Sequence, residues 1–484
     1  MSTMFNRQAV FVLFSLTVVF LLIVPDLVQY GMFMDGVQYA CVSKNMAHGK
    51  GSFWFPFLSE SWSKSGSGWF LEHPPLSYYL QSRFFILFGD SVYTEKIYGL
   101  AAVIACGFFI YKTWRLFFHE DPVLKYYWWL AVLLWFVTPS VFWSFNNNMI
   151  ENTVSVMVLA SVYFSMRALL KEKFFLFNLI VSSFFIFLGS LTKGIPAFFP
   201  LAFFICFYLF TKKISFKKMA GYTLVLVFIP LFLYACLLYF DHDAYTSLSF
   251  YIEKRLMNRV SNDHLVDNRF TILFWLLTDL FVVLGVLLAL VLIFKWKTFF
   301  KNILPDDTTY FLFFFALGTC GVIPLCLTHV QRAAYFVPAI PFFGIAFAII
   351  IAKGIDAKIN AIADPALKII RVCVLSFSFI AVISCFMLAG KTSRDAELLE
   401  DVHKIGARMS GCKKAGTSGP VYGRWDFQFY LLRYYEISLF PGENYNDPFL
   451  IFYKKDSSPE LNIYKKDALE LTDFVLYKKK DIIF

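Results

Sequence analysis

The sequence predicts a mainly α, polytopic membrane protein with about eleven transmembrane helices and a small C-terminal soluble α/β domain. Three observations carry that expectation. Of 484 residues, 58% are hydrophobic, 20% are aromatic and only 16% are charged, whereas soluble domains run near about a quarter charged. Apolar runs of about twenty residues, the length that crosses a bilayer, recur from the N-terminus to the neighbourhood of residue 390. Beyond Lys391 the composition turns charged, with Gly and Pro turns and short β-like runs.

The runs fall near 9–29, 96–117, 126–145, 149–169, 174–192, 195–211, 219–240, 270–294, 309–328, 333–352 and 369–390. The first is a signal anchor: it is long enough to span, it lacks a small-residue cleavage site, and Arg7 precedes it. Placing Arg7 and the N-terminus in the cytoplasm puts the basic clusters 112–125, 167–173, 212–218, 295–301 and 353–371 on that same side. This agreement accounts for most of the +10 net charge, and no basic patch interleaved with aromatics stands apart from the spans, so nucleic acid is not an expected partner. The nine cysteines form no CxxC pair and mostly lie in apolar runs. Cys41 and Cys412 are the exceptions on the external side, either a disulfide or, on the preferred reading, two unrelated thiols.

The expected organisation is a transmembrane catalytic domain over 1–390, with an extracytoplasmic loop 30–95 carrying catalytic elements, and an extracytoplasmic domain over 391–484. In that last domain PVYGRW reads as a strand, FQFYLLRYYE as an amphipathic helix, and FLIFYKK and FVLYKKK as strands. The location that fits is a bacterial inner membrane, with the C-terminal domain periplasmic. Loop 30–95 is too long for a mere connector, and its Trp and Phe residues have enough surface to order it.

The orientation sorts the ionisable residues of the apolar region to one face. Asp35 in MDGVQYA follows the first span; it is placed to accept a proton from an attacking hydroxyl, or simply to cap the helix behind it. Glu72 and His73 in FLEHPPLSYYL precede a Pro pair that starts a helix, whose N-terminus favours a phosphate; the plainer reading is two solvated loop residues. Glu151, after three Asn, opens the fourth span, either as a second acid facing a cavity or as a carboxylate on a helix dipole. Lys193 in LTKGIPAFFP closes the fifth, holding a lipid phosphate or capping carbonyls, with Gly194 as the helix stop. Arg255, Arg259 and His264 lie in a polar loop, and Arg332 in THVQRAAYFVPAIP stands at the mouth of the tenth span, suited to a phosphate. Glu72 with His264 is the only metal pair on offer, too few ligands to define a site. No GxxxxGK[ST], HExxH, GxSxG or strand-linked GxGxxG is present, so no nucleotide cofactor is expected.

Taken together, MDGVQYA, FLEHPPL, the Asn–Glu start of the fourth span, LTKGIPA and YFVPAIP, in that order, resemble the membrane-embedded GT-C glycosyltransferases. Within them the likeness is to lipid A aminoarabinose transferases and protein O-mannosyltransferase relatives. It covers nearly all of 1–390, and the tail only loosely, through PVYGRWDFQFYLLR. The resemblance implies a GT-C-like fold and a polyprenyl-phosphate sugar donor. The acceptor would be a lipid A-type glycolipid, another envelope glycan or a protein hydroxyl, modified at the external face with inversion. Asp35 and Glu151 look like the family's acids. Lys193, Arg332, Arg255, Arg259 and His73 would then hold the donor phosphate. Glu72 and His264 match positions that hold a divalent metal in some aminoarabinose transferases. The family often has Lys where this chain has His73, a departure that bears on the phosphate contact and the sugar. A transporter or flippase of lipid-linked or small anionic substrates is the alternative. Against it, the ionisable groups sort to one face instead of the midplane, and no internal repeat is visible.

Overall fold

A computed structural model describes residues 2–62, 68–258, 265–442, 447–456 and 463–480. In chain order its main helices are α1 (Ser2–Leu27), α2 (Met34–Ala47), α3 (Leu76–Phe88), α4 (Thr94–Phe117), α5 (Trp128–Phe136) and α6 (Pro139–Asn146). Next come α7 (Glu151–Leu170), α8 (Phe175–Lys193), α9 (Phe203–Thr211), α10 (Phe216–Phe240), α11 (His242–Phe250) and α12 (Thr271–Phe294). The series ends with α13 (Pro305–Val322), α14 (Ile340–Asn360), α15 (Asp364–Leu388), α16 (Ala396–Arg408) and α17 (Trp425–Tyr435). The strands are β1 (Lys414–Thr417), β2 (Ser438–Pro441), β3 (Phe449–Tyr453), β4 (Tyr464–Lys466) and β5 (Phe474–Lys479).

Among the described residues nine helices are long and apolar enough to cross a membrane, or ten if α5 and α6, bent by 74°, make one span. This is an integral membrane protein. Each apolar window expected from the sequence is helical, but 195–211 is not one regular span. Ile195–Ala202 is 3-10 helix carrying Pro196 and Pro200, and only α9 continues as α-helix; each proline lacks the N–H that an α-helical turn needs. The α5–α6 bend has the same origin. Thr138 precedes Pro139 and is held extended, at φ −69° and ψ 124°.

The chain divides into two compact units. The first comprises Met1–Pro25, Glu72–Ser77 and Gly99–Ala389; the second comprises Asp26–Leu71, Tyr78–Tyr98 and Gly390–Phe484. The tail Gly390–Phe484 therefore shares the second unit with most of loop 30–95.

In the first unit α7 and α8 pack closely through small polar residues. The Ser182 hydroxyl lies 2.8 Å from the Ser161 carbonyl and 2.8 Å from the Ser165 hydroxyl, the kind of contact that holds helices together where lipid offers no hydrophobic drive. Helix α14 is the buried centre: 94% of its span is covered, against 11% for α10 and 17% each for α12 and α15, whose apolar faces are open. At one end of α14, Lys353 binds Asp121 at 2.9 Å and Asp307 at 3.4 Å. Asp279, inside α12, accepts the Ser140 N–H at 3.1 Å and so caps α6, for which Thr138 supplies no side-chain cap.

In the second unit a five-stranded sheet has the order β2-β1-β3-β5-β4. Strand β1 runs parallel to β2 and β3, and β5 runs antiparallel to β3 and β4. Helix α17 makes the crossover from β1 to the parallel strand β2. The expected helix and both long strands of the tail are present; PVYGRW is not a strand but a short helical turn, Gly419–Tyr422, with Pro420 in its opening positions. Arg433 on α17, 2% exposed, donates to Glu95 at 2.9 Å and to Asp90 at 2.5 Å, and Lys44 on α2 lies 2.6 Å from Asp90. Tyr430, one turn earlier, accepts the Met32 N–H at 2.9 Å. Burial pushes the Cys41 thiol up to about 12; Cys41 and Cys412 are both free thiols.

Candidate functional site

The site is built on the α7–α8 hairpin. Ahead of α7, Asn148 takes the left-handed φ of 51° that Asn tolerates, and the Asn152 carboxamide bonds Ser144 at 2.7 and 3.0 Å. That turn makes Glu151 the first residue of α7. Lys193 is the last residue of α8. The two helices run in opposite directions, so the N-terminus of one meets the C-terminus of the other. An acid at the first end and a base at the second each suit the local dipole, and the Lys193 ammonium bonds the Glu151 carboxylate directly.

This pair is deeply buried, with side-chain exposures of 7% for Lys193 and 1% for Glu151. Glu151 Oε2 is buried with no hydrogen-bond partner among the described residues. Chain direction after Lys193 is set by Gly194, at φ 78°; a Cβ there would sit 2.7 Å from the Tyr251 hydroxyl. That hydroxyl donates to the Lys193 carbonyl at 3.1 Å, satisfying one of the carbonyls that a helix end leaves open. On its other side the Lys193 ammonium lies 4.2 Å from the centre of the Tyr335 ring, a cation–π contact.

Lys193 opens on a cavity of about 330 Å³. Its wall is mostly Phe, Leu, Pro and Val (Phe198, Phe199, Pro324, Leu325, Val330), with His73, Lys193, Tyr251, Thr328 and Tyr335 among its polar members. His73 is itself 8% exposed. Next to it in sequence, Glu72 bonds Arg255. Arg255 is not in a loop, as its polar surroundings in the sequence suggest, but in a π-helical turn, Tyr251–Leu256, whose end residues both line the cavity. Gln331 follows the cavity-lining Val330 and ties that segment down: its amide donates to the Arg269 carbonyl at 2.6 Å and its oxygen accepts the Ile272 N–H at 2.8 Å. The 3-10 segment Ala333–Ala339, which carries Tyr335, follows at once.

The structure therefore brings together Lys193, His73 and Glu151, and pairs Glu72 with Arg255, all in the first unit. Glu151 is not among the residues that line this cavity; it bonds Lys193, which is. Arg332, half-buried, precedes the Tyr335 segment, and its carbonyl accepts the Tyr335 N–H at 3.0 Å. Asp35 belongs to the second unit. It lies in the first turn of α2 but is not the cap, which is Phe33 with no side-chain bond. Arg259 and His264 lie outside the described residues. Among the described residues no group of three or more metal-type side chains occurs, and Glu72 already faces a guanidinium, which a divalent ion would have to displace.

Tyr251, Tyr335 and Gln331 escaped the sequence reading. Tyr335 lies inside YFVPAIP, and a Tyr between a polar turn and an apolar run is its only local signal. The other two act through residues distant in the chain, which no local pattern reveals.

A family model described as dolichyl-phosphate-mannose-protein mannosyltransferase matches residues 72–239, a little over a third of the chain. It begins at Glu72 and includes Glu151 and Lys193. No curated protein matches the sequence significantly. Among solved structures the chain is similar to ArnT from Cupriavidus metallidurans in the apo state, with 11% identity, 96% of this chain and 97% of that one covered, and a TM-score of 0.63. The same protein bound to undecaprenyl phosphate gives 10% identity, the same coverage and a TM-score of 0.62. The apo oligosaccharyltransferase of Archaeoglobus fulgidus gives 12% identity over 90% of this chain and 64% of that one, with a TM-score of 0.54. The likeness runs through the spanning helices and the tail alike, and at these identities it is one of architecture: the chain has the GT-C fold.

Proposed function

We propose that this protein is a glycosyltransferase that moves a sugar from a polyprenyl-phosphate donor to an acceptor hydroxyl at the external face of a bacterial inner membrane, with inversion. The observation that carries this reading is the cavity: a greasy wall for a polyprenyl tail, ending at a buried ammonium and an imidazole. The fold supports it, since ArnT, of the same architecture, is known bound to undecaprenyl phosphate.

The chemistry needs little more. The donor's leaving group is a phosphate that departs already stabilised as an anion. Preorganised cations in a water-poor site stabilise the charge that develops on it. Lys193 is the first of these; Arg255 and Arg332 are the others expected to contribute, with the His73 imidazole as a further phosphate contact. Asp35 is proposed as the base that takes the proton from the acceptor hydroxyl as it attacks the anomeric carbon. Glu151 is a positioning residue, holding Lys193 at the cavity wall. The sugar and the acceptor, a lipid A-type glycolipid, another envelope glycan or a protein hydroxyl, are to be identified by experiment.

The test is direct. Purified protein in detergent is incubated with a radiolabelled polyprenyl-phosphate sugar and an envelope extract. Label passing to an acceptor, or slow release of free sugar, supports the enzyme. Retention of intact donor without turnover supports a lipid carrier instead.

A further inference from the structure

Among the described residues Lys193 lines the cavity and pairs with Glu151, while Arg255, in the turn whose end residues line it, pairs with Glu72. A lipid phosphate approaching either must compete with the acid in place. The two competitions are unequal. Taking Lys193 away would strand Glu151, 1% exposed, as a buried charge with no counter-ion, which is strongly penalised. The Glu72 and Arg255 side chains are 14% and 24% exposed, so an exchange there strands a less deeply buried charge, although Glu72 Oε1 is itself buried.

Arg255 also has donor capacity to spare. Its Nη2 bonds Glu72, while its Nε is buried with no hydrogen-bond partner among the described residues. A guanidinium presents a fork of donors that suits phosphate geometry. The π-helical turn that carries it is a local irregularity of the kind often found where a helix serves a site. Tyr251 and Leu256, on either side of Arg255 in that turn, line the cavity, as does His73 beside Glu72.

We propose that Glu72 is a placeholder for the donor phosphate. It neutralises Arg255 until the donor arrives, then yields the guanidinium to the phosphate. Lys193 meanwhile stays with Glu151 and acts on the phosphate through its charge. This rests on the reading of the cavity as the donor site. An uncharged polyprenol has nothing to exchange, so the placeholder also favours the phosphorylated lipid over its alcohol.

The test measures binding of undecaprenyl phosphate and of undecaprenol to the full-length protein in detergent. E72Q keeps the shape and removes the charge, and is expected to bind the phosphate about tenfold more tightly, or about 1.4 kcal/mol. E72A gives the same direction should E72Q fold poorly. R255M is expected to bind about tenfold more weakly, and E72Q added to R255M brings no gain. Undecaprenol binding is the same in every variant. An E72Q affinity equal to or below wild type, or a gain that persists in R255M, overturns the placeholder while leaving the donor site intact. Failure of the wild-type protein to bind undecaprenyl phosphate removes the donor reading itself, and the placeholder with it.

Discussion

Substitution of Lys193 by Met separates a structural from a functional role for the α7–α8 ion pair. The change keeps most of the aliphatic volume and deletes the charge. It leaves Glu151, 1% exposed and already carrying one unbonded oxygen, as an isolated buried carboxylate. Breaking a buried pair from one side costs about 3–5 kcal/mol, whereas replacing both members by neutral groups is often close to free. At about 2 °C per kcal/mol, a slope suited to large domains, K193M should melt about 6–10 °C below wild type. E151Q added to K193M should recover most of that loss, because Gln needs no counter-ion. Thermal unfolding in detergent reads the four members of the cycle. Donor binding, measured in parallel, should be weakened in both proteins that lack Lys193, whatever their stability. If K193M melts within about 2 °C of wild type, or the double mutant loses the sum of the single losses, the pair is not the buried lock described above.

Other expectations are independent of that cycle. Asp35→Asn should abolish transfer while the protein still inserts and binds undecaprenyl phosphate; full transfer activity with a lipid-linked donor would remove the base. Gly194→Ala should lower stability by at least about 1 kcal/mol, because a positive φ is strained for Ala and its Cβ meets the Tyr251 hydroxyl; a melting temperature matching wild type would count against that contact. In the second unit burial raises the Glu436 carboxyl, but the bond to Lys50 and the charges of Lys50, Lys44 and Lys413 outweigh it and hold the group at about 2, below its usual 4.5. A depressed carboxylate contributes stability above its unfolded pKa and loses it as the pH falls. The window for Glu436 therefore runs from about pH 4.5 down to about 2, and E436Q should flatten melting temperature against pH across that window.

Some of this molecule was legible one segment at a time. Span length, the one-sided basic loops and the switch of composition near residue 390 depend on runs of neighbours, because a bilayer acts on each helix separately. Glu151 and Lys193 could be singled out the same way, as charges at the ends of apolar helices. Their union could not: it arises because α7 and α8 pack antiparallel, which brings residues 151 and 193 together. The same holds for Glu72 with Arg255, for Asp279 capping α6 from inside a different span, and for Tyr335 under the Lys193 ammonium. The sequence alone determined that this chain lives in a membrane and where charge interrupts its apolar runs, since those follow from local hydrophobicity. Only the tertiary structure decided which charge faces which, because partner choice comes from packing between segments far apart in the chain, and no local pattern encodes that distance.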